Sequence, residues 1–346
     1  MTKFLWSGML ILGLFWGAVY KNNFGVYQAD YNKVVINVPV AFRSSLKDKH
    51  YALGEKYLGE NLQDEMRRQG KNVRMFTFED SFLNRDYHAG YQIFLRSIPE
   101  LNLEDYHNFV GKDKISVLYE TIPYELKVVK NADIVFTGSL KKVDEYKKLG
   151  LEAHFVPQFT NAHRFYYAPK ENYRVPILYI ANQWPKFPTR KTIVYAQKYN
   201  IPLTVYGSDW WDILKGKYAA WWQGLQIPNE DLKYYYSSAD IVLNDTRQDM
   251  IDVGFISNRI FDVTACRGFI ISDYIKEIED IYGDAIPMYK NEAEFAHLIA
   301  YYLAHPDERR KKAEQAHKIT MENFTAEQTV RKMIKIMNDY KAKRGL

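Results

Sequence analysis

The sequence predicts an α/β protein built from two doubly wound, parallel-sheet domains. Three observations lead there. At 346 residues the chain exceeds what one hydrophobic core usually serves. Short, continuous apolar runs of the kind buried on both faces of a parallel sheet alternate with amphipathic helical stretches. That alternation breaks at a polar, proline-containing passage, residues 161–176, and then resumes.

The first series begins near Asn32. Val34–Val38 (VVINV) is a buried-strand run, and Tyr51–Gln69 is helical, with Leu53, Tyr57, Leu58, Leu62 and Met66 along one face and Gly70 ending it. Val73–Phe78, Gln92–Arg96, Ile115–Tyr119 and Ile134–Thr137 read as further strands. A helix over Leu140–Leu149 stops at Gly150, and Ala153–Val156 closes the series before Pro157.

The second series opens with a strand, Ile177–Ala181, a loop, Asn182–Arg190, and a helix, Lys191–Tyr199. Leu203–Tyr206 is a strand ending at Gly207; Ile213–Trp222 follows no clear period, and Gly224–Ile227 is a short strand or a loop. A helix, Glu230–Ser238, leads into the stretch Ser237–Asp273, which carries most of the chemistry. There Ile241–Leu243 is a strand, and the polar loop Asn244–Gly254 holds Asp245, Arg247, Asp249 and Asp252. Ser257 is placed to cap a helix from Asn258 to Cys266, Gly268 suits a left-handed residue past its end, and Phe269–Ser272 is a strand. A helix start facing a polar loop favours an anion, because its free amides and dipole point at the ligand. Asp262 lies a turn deeper on the face of Asn258, where it could accept hydrogen bonds from the paired hydroxyls of a ribose. Downstream, Glu292–Ala304 is amphipathic, Pro306 opens another helix, and a capping box from Thr325 to Gln328 starts the last.

Composition narrows the function. The net charge of +5 is mild and not gathered into runs, which does not point to nucleic acid. A single cysteine, Cys266, excludes an internal disulfide and cysteine-cluster metal sites. The first strand–helix loop lacks G-x-G-x-x-G, and neither G-x-x-x-x-G-K-[ST] nor G-x-S-x-G occurs, which sets aside dehydrogenases, P-loop enzymes and nucleophile-elbow hydrolases. With no D-x-D and no His/Cys/Asp cluster at ligand spacing, catalysis without a protein-bound metal is expected.

At the N-terminus, Phe4–Tyr20 is uncharged, flanked by Lys3 and Lys21, and carries Trp6, Trp16 and Tyr20 near its ends. As a helix rising ~1.5 Å per residue it reaches roughly 25 Å, the short end of a membrane span. The reading is an uncleaved membrane anchor. A cleaved signal peptide, ending near Gly17-Ala18, and a buried helix are the alternatives.

The ordered phrases ADIVF, FVPQFTNAHRF, LYIANQWPKFPTRKTIVYA, LTVYGSDWW, LKYYYSSADIVLND, SNRIFDVTACRGFIISD and YYLAHPDERRKKA resemble the GT-B glycosyltransferases, most closely the group-1, CgeB/YkvP-like type. The resemblance covers residues 130–340 well and the first 130 in outline. It implies a GT-B fold of two Rossmann-like domains facing a cleft. A nucleotide-diphosphate sugar would be the substrate, held mainly by the C-terminal half, with no separate cofactor, and the acceptor a glycan, lipid or protein. The domains expected are residues 1–28 as anchor and linker, 29–163 on the acceptor side, 164–324 on the donor side, and 325–346 as a terminal helix returning to the N-terminal domain.

Carried onto this sequence, the resemblance puts Asn182 and Arg190 in the donor loop, with Arg190 neutralising the leaving diphosphate. Gly207, Gly224 and Leu225 line the base pocket, and Trp210 and Trp211 either wall it or pack in the core. Asn258 and Arg259 face phosphate and Asp262 faces ribose. Asp262 matches the second acid of the E-x7-E pattern of retaining members, but the first falls on Gly254, so Asp249 or Asp252 would meet the sugar instead. Arg267 replaces a small residue common in relatives. Glu120, at a strand end, is the candidate base, with His88 and His107 behind it. The expected activity is metal-independent, retaining sugar transfer; a nucleotide-sugar epimerase and a non-catalytic nucleotide-sugar-binding protein are the alternatives. The anchor would hold the domains on the cytoplasmic face of a membrane, or in a eukaryote as a lumenal type II enzyme.

Overall fold

The structure, a computed structural model, describes residues 28–38, 54–77, 88–95, 113–123, 126–130, 132–183 and 187–346. The proposed anchor Phe4–Tyr20 and His107 lie outside them. Among the described residues no helix is long and apolar enough to cross a membrane. The chain divides into two units. One gathers the residues up to Thr137, Val143–Phe155 and Met333–Leu346; the other gathers Gly138–Lys142 and Val156–Lys332.

The first unit carries β1 (Asp30–Val38), α1 (Gly54–Arg68), β2 (Asn72–Thr77), β3 (Ala89–Phe94), β4 (Ile115–Glu120), α2 (Leu126–Val129), β5 (Ile134–Thr137), most of α3 (Leu140–Lys148) and β6 (Ala153–Phe155). Its strands form one parallel sheet in the order β2-β1-β3-β4-β5-β6. β3 and β4 are buried along their whole length, which is why apolar residues occupy both of their faces rather than alternating with exposed polar ones. The end of the chain also belongs here. Asn338 accepts a hydrogen bond from the Tyr91 hydroxyl at 3.0 Å, and Arg344 pairs with Asp133 at 3.1 Å.

The second unit contains β7 (Ile177–Ile180), α4 (Lys191–Tyr199), β8 (Thr204–Tyr206), β9 (Trp222–Gly224), α5 (Leu232–Ser238), β10 (Ile241–Asn244), α6 (Gln248–Ile251), α7 (Asn258–Ala265), β11 (Ile270–Asp273), α8 (Lys276–Tyr282), β12 (Met288–Tyr289), α9 (Glu292–Ala304) and α10 (Pro306–Asn323); α11 (Ala326–Lys343) begins in it. The strand order is β12-β11-β10-β7-β8-β9, all parallel. Alternate residues feed two cores. Ile177, Tyr179, Ile241, Leu243 and Ile271 meet Ile193, Phe295 and Ile299 on one face, while Leu178, Val242 and Ile270 meet Ile260, Val263 and Ile278 on the other. The stretch without clear period resolves into a 3-10 turn, Gly216–Trp221, running into β9. The expected capping box forms: the Thr325 amide donates to Gln328 Oε1 at 3.0 Å and the Gln328 amide to Thr325 Oγ1 at 3.5 Å.

Two local expectations around α7 are corrected. Ser257 occupies the N-cap position, but its side chain makes no capping hydrogen bond. The left-handed residue after the helix is Arg267 (φ 54°), not Gly268. Gly268 is needed for space instead: a Cβ there would lie 2.5 Å from the Tyr236 carbonyl oxygen and 2.8 Å from Val263 Cγ1.

Candidate functional site

The strand order of the second unit reverses between β7 and β10, so the chain leaves these neighbouring strands in opposite directions; the carboxyl ends at such a reversal are where doubly wound sheets bind their ligands. β7 leads into Asn182 and, after the loop, Arg190; β10 leads into Asp245 and, at the start of α7, Arg259. One buried carboxylate organises the place. Asp245, with its side chain 2% exposed, accepts from the Tyr179 hydroxyl at 2.7 Å, from Arg190 Nη1 at 3.2 Å and from the Thr192 amide at 3.2 Å. It thereby ties β7, the arginine and the first turn of α4 to the end of β10.

Arg190 is held further by Nε donating to the Asn182 carbonyl at 3.4 Å, and its amide donates to Gln183 Oε1 at 3.2 Å. Burial works against its charge, but Tyr179, Asp245, Asp273 and Tyr289 around it outweigh that, and its pKa is raised. Arg259 is fixed by Nη1 donating to Asn244 Oδ1 at 2.7 Å, and Asn244 in turn donates Nδ2 to Ser272 Oγ at 2.9 Å. Behind them Asp273, ending β11, accepts from the Thr246 amide at 3.0 Å; burial, with Asp245 near, pushes its pKa up to about 6. The same two influences, burial first and Asp245 second, push the Tyr179 hydroxyl well up. The result is two cations presented at one strand edge on a buried acceptor network, an arrangement suited to a polyanion such as a diphosphate.

The other expected residues fall as follows. Asn182 is exposed, and its Oδ1 accepts from the Ser208 amide at 3.0 Å, joining the exits of β7 and β8. Gly207 has φ 141°, and the atom that crowds it is the chain's own: a Cβ there would lie 1.9 Å from the Ala181 carbonyl oxygen. Gly224 is not crowded, the nearest atom to a Cβ being Tyr206 Cδ1 at 3.7 Å, and Leu225 is half-buried. Trp210 belongs to the core, donating Nε1 to the Ala181 carbonyl at 2.7 Å, whereas Trp211 is exposed. Asp252 is exposed and accepts from Gln248 Nε2 at 2.8 Å, and Asp249 is held by Arg247 at 3.0 Å. In the first unit, Glu120 ends β4 buried, its Oε1 accepting from the Tyr146 hydroxyl at 2.8 Å. Among the described residues no group of His, Cys, Asp and Glu could hold a metal ion.

Asp262 was expected to face a ribose. Its carboxyl is buried and turned to protein partners: Oδ1 accepts from Thr160 Oγ1 at 2.9 Å and Oδ2 from Asn258 Nδ2 at 2.7 Å. Burial raises its pKa to about 8, against the lowering effects of those two hydrogen bonds and of Arg259. A folded-state pKa above the unfolded one makes this group's contribution complete below about pH 4; it is lost progressively as pH rises towards 8. Asp262→Asn is therefore expected to gain stability relative to the parent between pH 5 and 8, by up to about 4 kcal/mol at the upper end. Urea unfolding at the two pH values measures it; a pH-independent difference would remove the buried acid from the account.

Sequence reasoning missed Asp245, Asp273 and Tyr179. For the two acids the signal available was position, since each lies at the carboxyl end of an apolar run, where doubly wound sheets place their ligands; Tyr179 lies inside its run, Ile177–Ile180.

Two doubly wound α/β units are also found in the solved structures to which the chain is similar. Residues 190–335 match the family described as glycosyl transferase-like. The spore protein CgeB of Bacillus subtilis (strain 168) is 26% identical over 231 residues, spanning 60% of this chain and 69% of that one. Among solved structures, sucrose-phosphate synthase from Thermosynechococcus elongatus has a TM-score of 0.59 at 15% identity, covering 90% of this chain and 99% of its own. An α-glucosyltransferase in complex with UDP and a 13-mer DNA scores 0.63 at 10% identity (88% and 99%), and Anabaena HepE with UDP and glucose scores 0.59 at 9% (89% and 99%). Over residues 190–335 the chain is thus similar to the glycosyl transferase-like family, and its fold is similar to that of the solved glycosyltransferases.

Proposed function

We propose that this enzyme transfers a sugar from a nucleoside diphosphate to an acceptor hydroxyl, and that the donor's diphosphate lies between Arg190 and Arg259 at the β7/β10 edge. The observation that carries this reading is the pair of arginines held by the buried acceptors Asp245 and Asn244 where the strand order reverses. Solved structures of the same fold described with UDP support it. In the reaction the bond from the anomeric carbon to phosphate oxygen breaks, the acceptor oxygen bonds to that carbon, and the acceptor proton passes to the leaving phosphate. Arg190 offsets the charge that grows on that phosphate, a role needing neither a metal nor a protein base. With the incoming oxygen on the face the phosphate leaves, the anomeric configuration is retained.

The donor reading is tested by titrating the full chain with UDP, GDP and ADP and their glucose conjugates, with and without EDTA. Binding of at least one nucleotide that EDTA leaves unchanged is expected; no binding by any of them would sink the proposal. We place the acceptor among glycans and lipids, with Phe4–Tyr20 holding the domains at the cytoplasmic face of a membrane. A protease-protection assay on vesicles tests the location. Because a neighbour of this fold is described with DNA, the acceptor screen includes DNA strands, and transfer to DNA would overturn the acceptor assignment.

A further inference from the structure

Gly254 lies on the connection from β10 to α7, five residues before Arg259. Its φ of 78° is left-handed, fixed by a turn in which its amide donates to the Ile251 carbonyl at 3.0 Å and the Phe255 amide to the Met250 carbonyl at 2.9 Å. What fills the space beside it is a carboxylate. A Cβ on residue 254 would lie 2.0 Å from Glu277 Oε1, 2.2 Å from its Cδ and 2.7 Å from Oε2. Only a residue without a side chain lets the two approach so closely.

Glu277 comes from the next connection, in α8, four residues past the end of β11. Gly254 and Glu277 thus follow the carboxyl ends of adjacent parallel strands, the edge that carries Arg259. Every other acid on these two connections has a partner: Asp249 takes Arg247, Asp252 takes Gln248, Glu279 takes the Tyr274 hydroxyl and Asp280 takes Lys276. Glu277 is half-buried, and no hydrogen bond or ion pair to it is found among the described residues. An ionised carboxylate is acceptor-only, with about four lone-pair positions to fill. Placed after β11 at the same end of the sheet from which β10 leads to Arg259, it is complementary to a ligand that brings hydroxyl donors.

We infer that Glu277 binds hydroxyls of the sugar being transferred, and that the Gly254–Glu277 contact sets which sugar is accepted. This rests on the donor site proposed above. It also answers the sequence difficulty at position 254, since the structure brings an acid to that place from α8 rather than from residue 254 itself.

The test separates nucleotide from sugar. The full-length protein, Glu277→Ala and Gly254→Ala are titrated with UDP and with UDP-glucose, UDP-galactose and UDP-N-acetylglucosamine, after melting curves confirm that the variants fold. Gly254→Ala pushes the carboxylate away without removing it. Expected is an unchanged Kd for UDP in both variants, with the Kd of the preferred UDP-sugar raised about 10-fold or more, as the loss of a hydrogen bond to a charged group predicts. Preference among the three sugars should flatten. If UDP binds all three proteins and the UDP-sugar affinities and preferences do not move, Glu277 is not a sugar ligand. If the parent protein binds no nucleotide, the donor site itself has failed, and this inference falls with it.

Discussion

Replacing Arg190 by alanine is expected to lower turnover at saturating donor by about 10²- to 10³-fold, the usual cost of removing one preorganised group that stabilises developing negative charge. The same change should cost stability, because Asp245 is left as a buried carboxylate with its cation gone. Breaking a buried pair in this way costs about 3 kcal/mol or more. The hydrogen bonds from the Tyr179 hydroxyl and the Thr192 amide remain and soften the loss. The two effects can be separated. In Arg190→Ala/Asp245→Asn the buried charge is gone, and an asparagine can still accept from Thr192 while donating to the Tyr179 oxygen. Unfolding free energy should recover substantially in the double variant, whereas nucleotide release measured with donor and acceptor should stay low. Arg190→Lys keeps a charge but not the planar fork that reaches Asp245 and Asn182 together, so it should restore only part of the rate. Full turnover in Arg190→Ala would take this residue away from the diphosphate.

Gly207→Ala is expected to be the most damaging small substitution in the second unit. The Cβ would meet the Ala181 carbonyl oxygen at 1.9 Å and its carbon at 2.6 Å, at a φ of 141° that side chains rarely adopt. Ala181 has no freedom to retreat, since its amide donates to the Tyr206 carbonyl at 3.0 Å and its carbonyl accepts Trp210 Nε1 at 2.7 Å. A loss of about 4 kcal/mol or outright failure to fold is expected. Gly224→Ala is the control, with ordinary contacts and an expected change within about 1 kcal/mol. Urea denaturation of the two decides the matter, and equal losses would mean that the backbone at Gly207 can relax.

The regular part of this fold was readable because its signals are local. The runs at Ile134–Thr137, Ile177–Ile180 and Ile241–Asn244 are buried on both sides, so hydrophobicity alone marks them. The capping box at Thr325 lies within a single turn. Reading faltered where a residue answers to something distant. Gly268 looked like a helix stop, but its constraint is the Tyr236 carbonyl, and Arg267 takes the left-handed place. Asp262 had the spacing of a surface ligand until Thr160, 102 residues away in the sequence, covered it. Asp245 drew no notice as the organiser of the site because its partners Tyr179 and Arg190 lie 66 and 55 residues away.

That separation has a kinetic consequence. Loops of this length close slowly and late, and until β7 and β10 are side by side neither Arg190 nor Asp245 has its counterpart. A nucleotide therefore recognises only the completed sheet. Its presence would stabilise the folded chain by RT ln(1 + [L]/Kd) and raise the melting temperature. Ligand-dependent protection thus reports whether two distant parts of the chain have become neighbours.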